Sequence, residues 1–123
     1  MKKLLFSILF LFIFSSNSWS AWKLVSDING QQVYIDPEKI EKNKGITHFW
    51  FMQNYNPPIM GSKSGIKLAQ ADCKLMKFKT IEDQLYAKKN GKEFIMTMPG
   101  LLGWLTPPLD SHYSIMLNEV CKY

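Results

Sequence analysis

Asp110, Ser111 and His112 are the three residue types of a hydrolytic triad, and His48 and His112 are the two imidazoles of the chain that could share a metal ion. The spacing argues against both. Consecutive residues on a helix point in different directions, whereas a triad needs side chains from separate segments converging on one hydrogen-bonded line. A short Asp-Ser pair ahead of an apolar stripe is the usual chemistry of a helix start, so Asp110 or Ser111 is expected to cap. For metal, no H-x-x-x-H or C-x-x-C spacing supplies a third ligand. The chain also has no G-x-S-x-G, no glycine-rich phosphate loop and no paired-carboxylate signature. The expectation is a protein that binds and does not catalyse, with no cofactor and no metal.

The remaining chemistry belongs to the two cysteines, Cys73 and Cys121, 48 positions apart. A redox couple would use close C-x-x-C spacing to tune its thiolate, so this pair reads as a structural disulfide, for which only one connectivity exists. Such a bond needs an oxidising compartment. The N-terminus agrees: Lys2 and Lys3 precede an apolar run from Leu4 to Phe14, and Ser18 and Ser20 stand at the small-residue positions before Ala21. Residues 1–20 are therefore expected to be a secretory signal peptide. The run is too short for the roughly 30 Å of a hydrocarbon core, so no transmembrane span is expected after cleavage. No cysteine follows it to carry a lipid.

Residues 21–123 form a single domain in this reading. Removing the leader leaves thirteen basic residues against ten acidic ones, a net of +3, and all of the basic residues are lysine. Without arginine the chain lacks the planar fork that grips phosphates and guanine edges, so nucleic acid is not an expected partner.

Several elements must position these residues. Asn29-Gly30 sits between two short apolar runs and predicts a type I′ hairpin, with Trp22, Leu24 and Ser26 on one face, Lys23, Val25 and Asp27 on the other, and Val33 and Ile35 alternating with Tyr34 on the return. Asp36-Pro37 ends that strand, and the next residues suggest a single helical turn. After a lysine-rich turn at 41–45, Ile46, His48, Trp50 and Met52 alternate with Phe49, Phe51 and Tyr55, so both faces of this strand are apolar. It is expected in the middle of a sheet, with a cover on each side or with one side meeting a second subunit. The stretch 56–65, with Pro57, Pro58, Gly61 and Gly65, reads as a loop.

Residues 67–80 fit a helix or a strand equally well by periodicity; as a strand, adjacent Leu75 and Met76 suggest a β-bulge. Asn90-Gly91 predicts a second hairpin turn. The apolar segment Leu101–Leu105 is expected to lie beneath the terminal helix as core, the alternative being an exposed contact loop that includes Trp104. Tyr113, Met116, Leu117, Val120 and Cys121 form one stripe of that helix, which places Cys121 on the buried side of its last turn, pinned to the sheet.

Taken in order, Trp22, Val25, Tyr34-Ile35-Asp36-Pro37, Ile40, Gly45, Trp50, Asp72-Cys73, Gly91, Trp104, Pro107-Pro108 and Val120-Cys121 resemble the surface-adhesin protein E-like domain of Gram-negative bacteria. The resemblance implies an α+β fold: an antiparallel sheet of about six strands, with residues 67–80 as strand and a C-terminal helix packed on one face and tethered by the disulfide. It implies adhesion to a host extracellular protein. An envelope protein is the other candidate partner, and a periplasmic accessory role, binding a small ligand or another envelope protein, is the alternative function. The binding residues expected from the chain are Tyr55, Pro57, Pro58, Ile59 and Met60, as a proline-stiffened apolar tip, together with Trp104. A homodimer through the uncovered sheet face is expected from the two-sided apolar strand.

Overall fold

A computed structural model describes residues 21–100 and 103–123; the expected signal peptide at 1–20 lies outside the described residues, as do Leu101 and Leu102. Strands β1 (Lys23–Ile28) and β2 (Gln31–Ile35) form the expected hairpin, and Asn29 and Gly30 take the positive φ values, 53° and 79°, that this turn demands. A bulge between Leu24 and Ser26 breaks the expected alternation of β1. Ser26 is buried, Val25 packs against the core and Leu24 turns outward at 46% exposure, because one extra residue in a strand reverses the faces beyond it.

After β2 the buried Asp36 carboxylate accepts a hydrogen bond from the Glu38 backbone N–H at 3.1 Å and starts a 3-10 turn, Pro37–Lys39. Part of the expected lysine-rich turn is strand: β3 (Glu41–Asn43) pairs with β4 (Ile46–Ile59), leaving Lys44-Gly45 as the actual turn. Both β2 and β3 pair antiparallel with β4, against residues 51–54 and 46–48 respectively. The 3-10 turn is thus an excursion from one interrupted edge.

Strand β5 (Ser62–Asp72), β6 (Lys77–Lys88) and β7 (Lys92–Pro99) complete an antiparallel sheet of seven strands in the order β1-β2-β4-β5-β6-β7, with β3 beside β4. Strand β4 is central and two-faced, as expected. The stretch 56–65 is not a loop. The extended backbone runs on through Pro57 and Pro58, and Ile59 pairs with Ser62 around Met60-Gly61, both at positive φ. Proline removes ladder donors without forcing the chain out of extended geometry, which explains the pairing gap between Asn54 and Ile59.

Residues 67–80 are strand on both sides of a turn. Leu75 and Met76 lie in that turn and make no bulge; the Asp72 Oδ1 atom accepts from the N–H groups of Lys74 and Leu75, each at 3.1 Å, and fixes it. The bulge falls instead at Ile81, between the pairs Leu68–Glu82 and Ala69–Thr80.

Helix α1 (His112–Val120) is capped by Ser111, whose hydroxyl accepts from the Ser114 N–H at 3.2 Å. Met116, Leu117 and Val120 are wholly buried against Val33, Ile35, Phe49, Phe51, Ala69, Ala71 and Phe78. The small Ala69 and Ala71 let the helix approach the sheet, and its last turn is bonded to the turn after β5 through Cys73–Cys121, with Cα atoms 5.7 Å apart.

The crossing segment departs from the core reading where it is described. Trp104 and Leu105 are 37% and 44% exposed, and Leu105 exchanges two backbone hydrogen bonds with Phe78, so the segment runs beside the start of β6. The space under α1 is already filled by the phenylalanines. No helix among the described residues is long and apolar enough to cross a membrane.

Candidate functional site

Because α1 covers one face of the sheet, the register decides which residues remain on the other. Cross-strand rows on that face run Leu24–Tyr34–Met52–Ile66–Gln84, then Trp50–Leu68–Glu82, then Glu41–His48–Gln70–Lys79. Aromatic and aliphatic side chains therefore alternate with polar ones across a surface that no helix among the described residues covers.

The β6–β7 turn folds back over part of it. Asn90 and Asn54 exchange two hydrogen bonds of 2.9 Å, and the Gly91 N–H donates to the Ser64 hydroxyl at 3.0 Å. Gly91 is needed there, since a Cβ would stand 2.8 Å from the Ile66 Cδ1 at a φ of +67°. Met52 is consequently buried, while Trp50 and Tyr34 stay half-buried and Leu24 exposed.

Two open hollows flank the Trp50 ring. One, of about 410 Å³, is lined by Lys39, Glu41, His48, Trp50 and Leu68 among others; the second, of about 270 Å³, is lined by Trp22, Asp36, Lys39, Trp50, Ile66 and Gln84. An aromatic ridge between two shallow basins suits the seating of a partner's side chains, because burying an amphipathic ring and excluding water around it supplies most of the affinity of a protein contact. Tyr34, Asp36, Trp50 and Trp22 come from three separate segments, and the 3-10 excursion is what brings Asp36 and Lys39 to the rim.

The residues expected from the sequence to bind are placed differently from one another. Pro57, Pro58, Ile59 and Met60 stand at the exposed β4–β5 tip, Ile59 at 49% and Met60 at 79% exposure. Tyr55 is not with them: it is 4% exposed on the helix side, and burial followed by the charge of Asp83 pushes its hydroxyl pKa far up. Trp104 is near the other end of β5, roughly 30 Å from the tip at the usual rise per strand residue. Its ring lies 5.3 Å from the Lys77 ammonium and 5.1 Å from that of Lys79. The tip and Trp104 do not form one site.

Of the candidate triad, Ser111 is committed to capping, and its hydroxyl donates to the Pro108 carbonyl at 2.7 Å. The His112 ring meets Tyr113 edge-on at 4.6 Å, and partial burial lowers its pKa. Among the described residues no three His, Cys, Asp or Glu side chains are placed to hold a metal ion.

Sequence reasoning left unspecified which residues occupy the free face, and it missed the outer edge. On β7, Phe94, Ile95 and Met96 are 59%, 45% and 46% exposed. Three consecutive apolar residues in a strand put an apolar side chain on each face, a signal that was present in the run FIM.

A seven-stranded antiparallel sheet with one disulfide-bonded helix on one face, and no helix of the described residues on the other, defines an α+β architecture. The chain belongs to the surface-adhesin protein E family, whose sequence pattern matches residues 22–122. Solved structures of protein E from Haemophilus influenzae share the fold. Crystal form II superposes with a TM-score of 0.62 at 17% identity, covering 87% of this chain and 91% of that one. A second structure of the same protein gives 0.62 at 16%, covering 87% and 88%. Protein E from non-typeable Haemophilus influenzae gives 0.54 at 17%, covering 87% and 79%. At these identities the likeness is one of fold. No curated protein matches the chain in sequence.

Proposed function

We propose that residues 21–123 are an exported, non-catalytic adhesin-like module that contacts a host extracellular protein or a protein of the bacterial envelope. The observation that carries this is the face that no helix among the described residues covers, where Leu24, Tyr34, Trp50 and Leu68 lie among polar side chains in a domain whose opposite face is filled by α1. Membership of an adhesin family supports the reading. The Pro57–Met60 tip is a second contact, stiff enough to lose little entropy on binding. The reading takes residues 1–20 as a leader cleaved before Ala21, and the disulfide, which needs an oxidising space, supports export.

The test is capture of the oxidised domain on immobilised host matrix proteins and on envelope extract, with Trp50→Ala and Leu24→Asp as variants. Binding that survives both substitutions rejects the free face as the contact. Protease added to intact cells separates display from retention: a mature protein that stays shielded supports the periplasmic alternative, for which the two hollows beside Trp50 are the small-ligand sites. A second copy of the chain on the same face is read by sedimentation, where a monomer at high concentration removes the homodimer.

A further inference from the structure

The β3–β4 and β5–β6 turns lie at one end of the sheet, where Thr47 pairs with Ala71 and Asp72 with Lys77. Five lysines gather there: Lys42 and Lys44 around the first turn, Lys74 in the second, and Lys77 and Lys79 on the strand that leaves it. Among the described residues none of the five forms an ion pair, whereas Lys23, Lys39, Lys67, Lys88 and Lys122 each have a carboxylate oxygen within 4.0 Å. Only Glu41 and Asp72 bring negative charge to these stretches, and Asp72 engages Oδ1 with the backbone of its own turn. The excess of three positive charges equals the net charge of residues 21–123. Clustered like charges repel one another until an anion answers them.

The lysines form two stations. Lys42, Lys44 and Lys74 line an open hollow of about 570 Å³, together with Asn43, Thr47 and Asp72. At the other, the exposed indole of Trp104 has the Lys77 ammonium 5.3 Å and the Lys79 ammonium 5.1 Å from its ring. Lys42 shares the helix-side row of Thr47, Ala71 and Phe78, while Lys77 and Lys79 flank the buried Phe78 and so stand on the opposite face. From β3 to β6 is three strand spacings, about 14 Å.

We propose that this end of the sheet binds an acidic polysaccharide, a chain of sugar rings carrying sulfate or carboxylate groups, with one anionic group in the lysine hollow and one ring stacked on Trp104 beside Lys77 and Lys79. The site holds whether or not the face around Trp50 contacts a protein. A single small anion fills one station and leaves the other, whereas a chain with charges repeated along it reaches both. A bilayer is flat and meets one side of the sheet end, but these lysines stand on both. Single-stranded nucleic acid is held by successive aromatic rings under successive bases, and here one indole stands among lysines. An ammonium reads charge without the directional fork of a guanidinium, which suits sulfate and carboxylate groups on a flexible chain, and the indole offers its face to the C–H side of a sugar.

The experiment titrates the oxidised domain with a size-defined heparin hexasaccharide, by calorimetry and by amide and indole NMR shifts, at about 0.15 M salt. Saturable shifts at Thr47, Asp72 and the Trp104 indole N–H are expected, with affinity falling as salt rises. Lys42→Gln with Lys44→Gln and Lys74→Gln, and separately Lys77→Gln with Lys79→Gln, should each weaken binding about tenfold or more, and Trp104→Ala about threefold or more. Lys88→Gln with Lys89→Gln and Lys92→Gln removes as much charge as the first set from the opposite end of the sheet and should change affinity by less than about threefold. Equal weakening by substitutions at both ends, or no saturable shift, overturns the proposal. So does tighter binding to phosphatidylglycerol vesicles or to an oligothymidylate of matching charge, which would make a bilayer or a single-stranded nucleic acid the occupant. If a variant fails to fold, the unaltered protein decides: inorganic sulfate binding as tightly as the hexasaccharide, or shifts away from the two stations, also overturns it.

Discussion

The ring of Tyr55 lies over Gly65 so closely that a methyl group at position 65 would overlap its hydroxyl oxygen. Gly65 sits opposite Gln53 on the neighbouring strand, and the bare backbone there is what admits the tyrosine to the interior. An aromatic side chain covering a strand glycine restores the packing that the missing side chain gives up.

Gly65→Ala should therefore lower stability by about 1–3 kcal/mol, the usual cost of overpacking. Urea unfolding of Gly65→Ala, Tyr55→Phe and the double variant tests the pair. Removing the hydroxyl should recover part of the loss, and strictly additive effects would show that the two residues do not press on each other.

Breaking Cys73–Cys121 opens a loop of 48 positions. The chain-entropy treatment puts the stabilisation at about 4 kcal/mol, large beside the roughly 5–15 kcal/mol that keeps a domain folded. Replacing both cysteines by alanine should lower the urea midpoint strongly and steepen the slope, because the unfolded chain without the cross-link exposes more surface. A midpoint that does not move would mean that apolar packing of α1 alone holds the helix.

The Glu119 carboxylate accepts a hydrogen bond from Lys23 at 2.6 Å and one from Lys122 at 3.4 Å, which holds its pKa below the usual 4.5. A folded pKa lowered in this way contributes stability that is present above pH 4.5 and lost as pH falls through the lowered value. Because the pair is solvent-facing, the effect should be small and should shrink with added salt. Glu119→Gln should narrow the stability difference from the parent protein as pH drops below 4.5; a difference that is constant with pH contradicts the assignment.

Ile59→Ser with Met60→Ser at the β4–β5 tip should leave the unfolding midpoint within about 0.5 kcal/mol of the parent protein, since neither side chain is buried. Capture by the partner should fall if the tip is a contact. Unchanged capture confines binding to the face around Trp50.

The sequence by itself determined the local chemistry: the Asn29-Gly30 and Asn90-Gly91 turns, the two-faced strand through Trp50, the stripe of α1 and the single pairing of cysteines. These follow from backbone preferences and side-chain periodicity within a few residues, which need no distant neighbour to be read. Tertiary structure alone decided the rest. The bulges at Val25 and Ile81 shift the faces of their strands, and a bulge is a relation between two strands. Pro57 and Pro58 look like loop residues until β5 is seen continuing the hairpin beside them. Tyr55 joined the interior because Gly65, ten residues on, left room. Lys67 and Asp83 became neighbours only when β5 met β6, since a buried charge pair is specified by cross-strand register, to which neither local sequence refers.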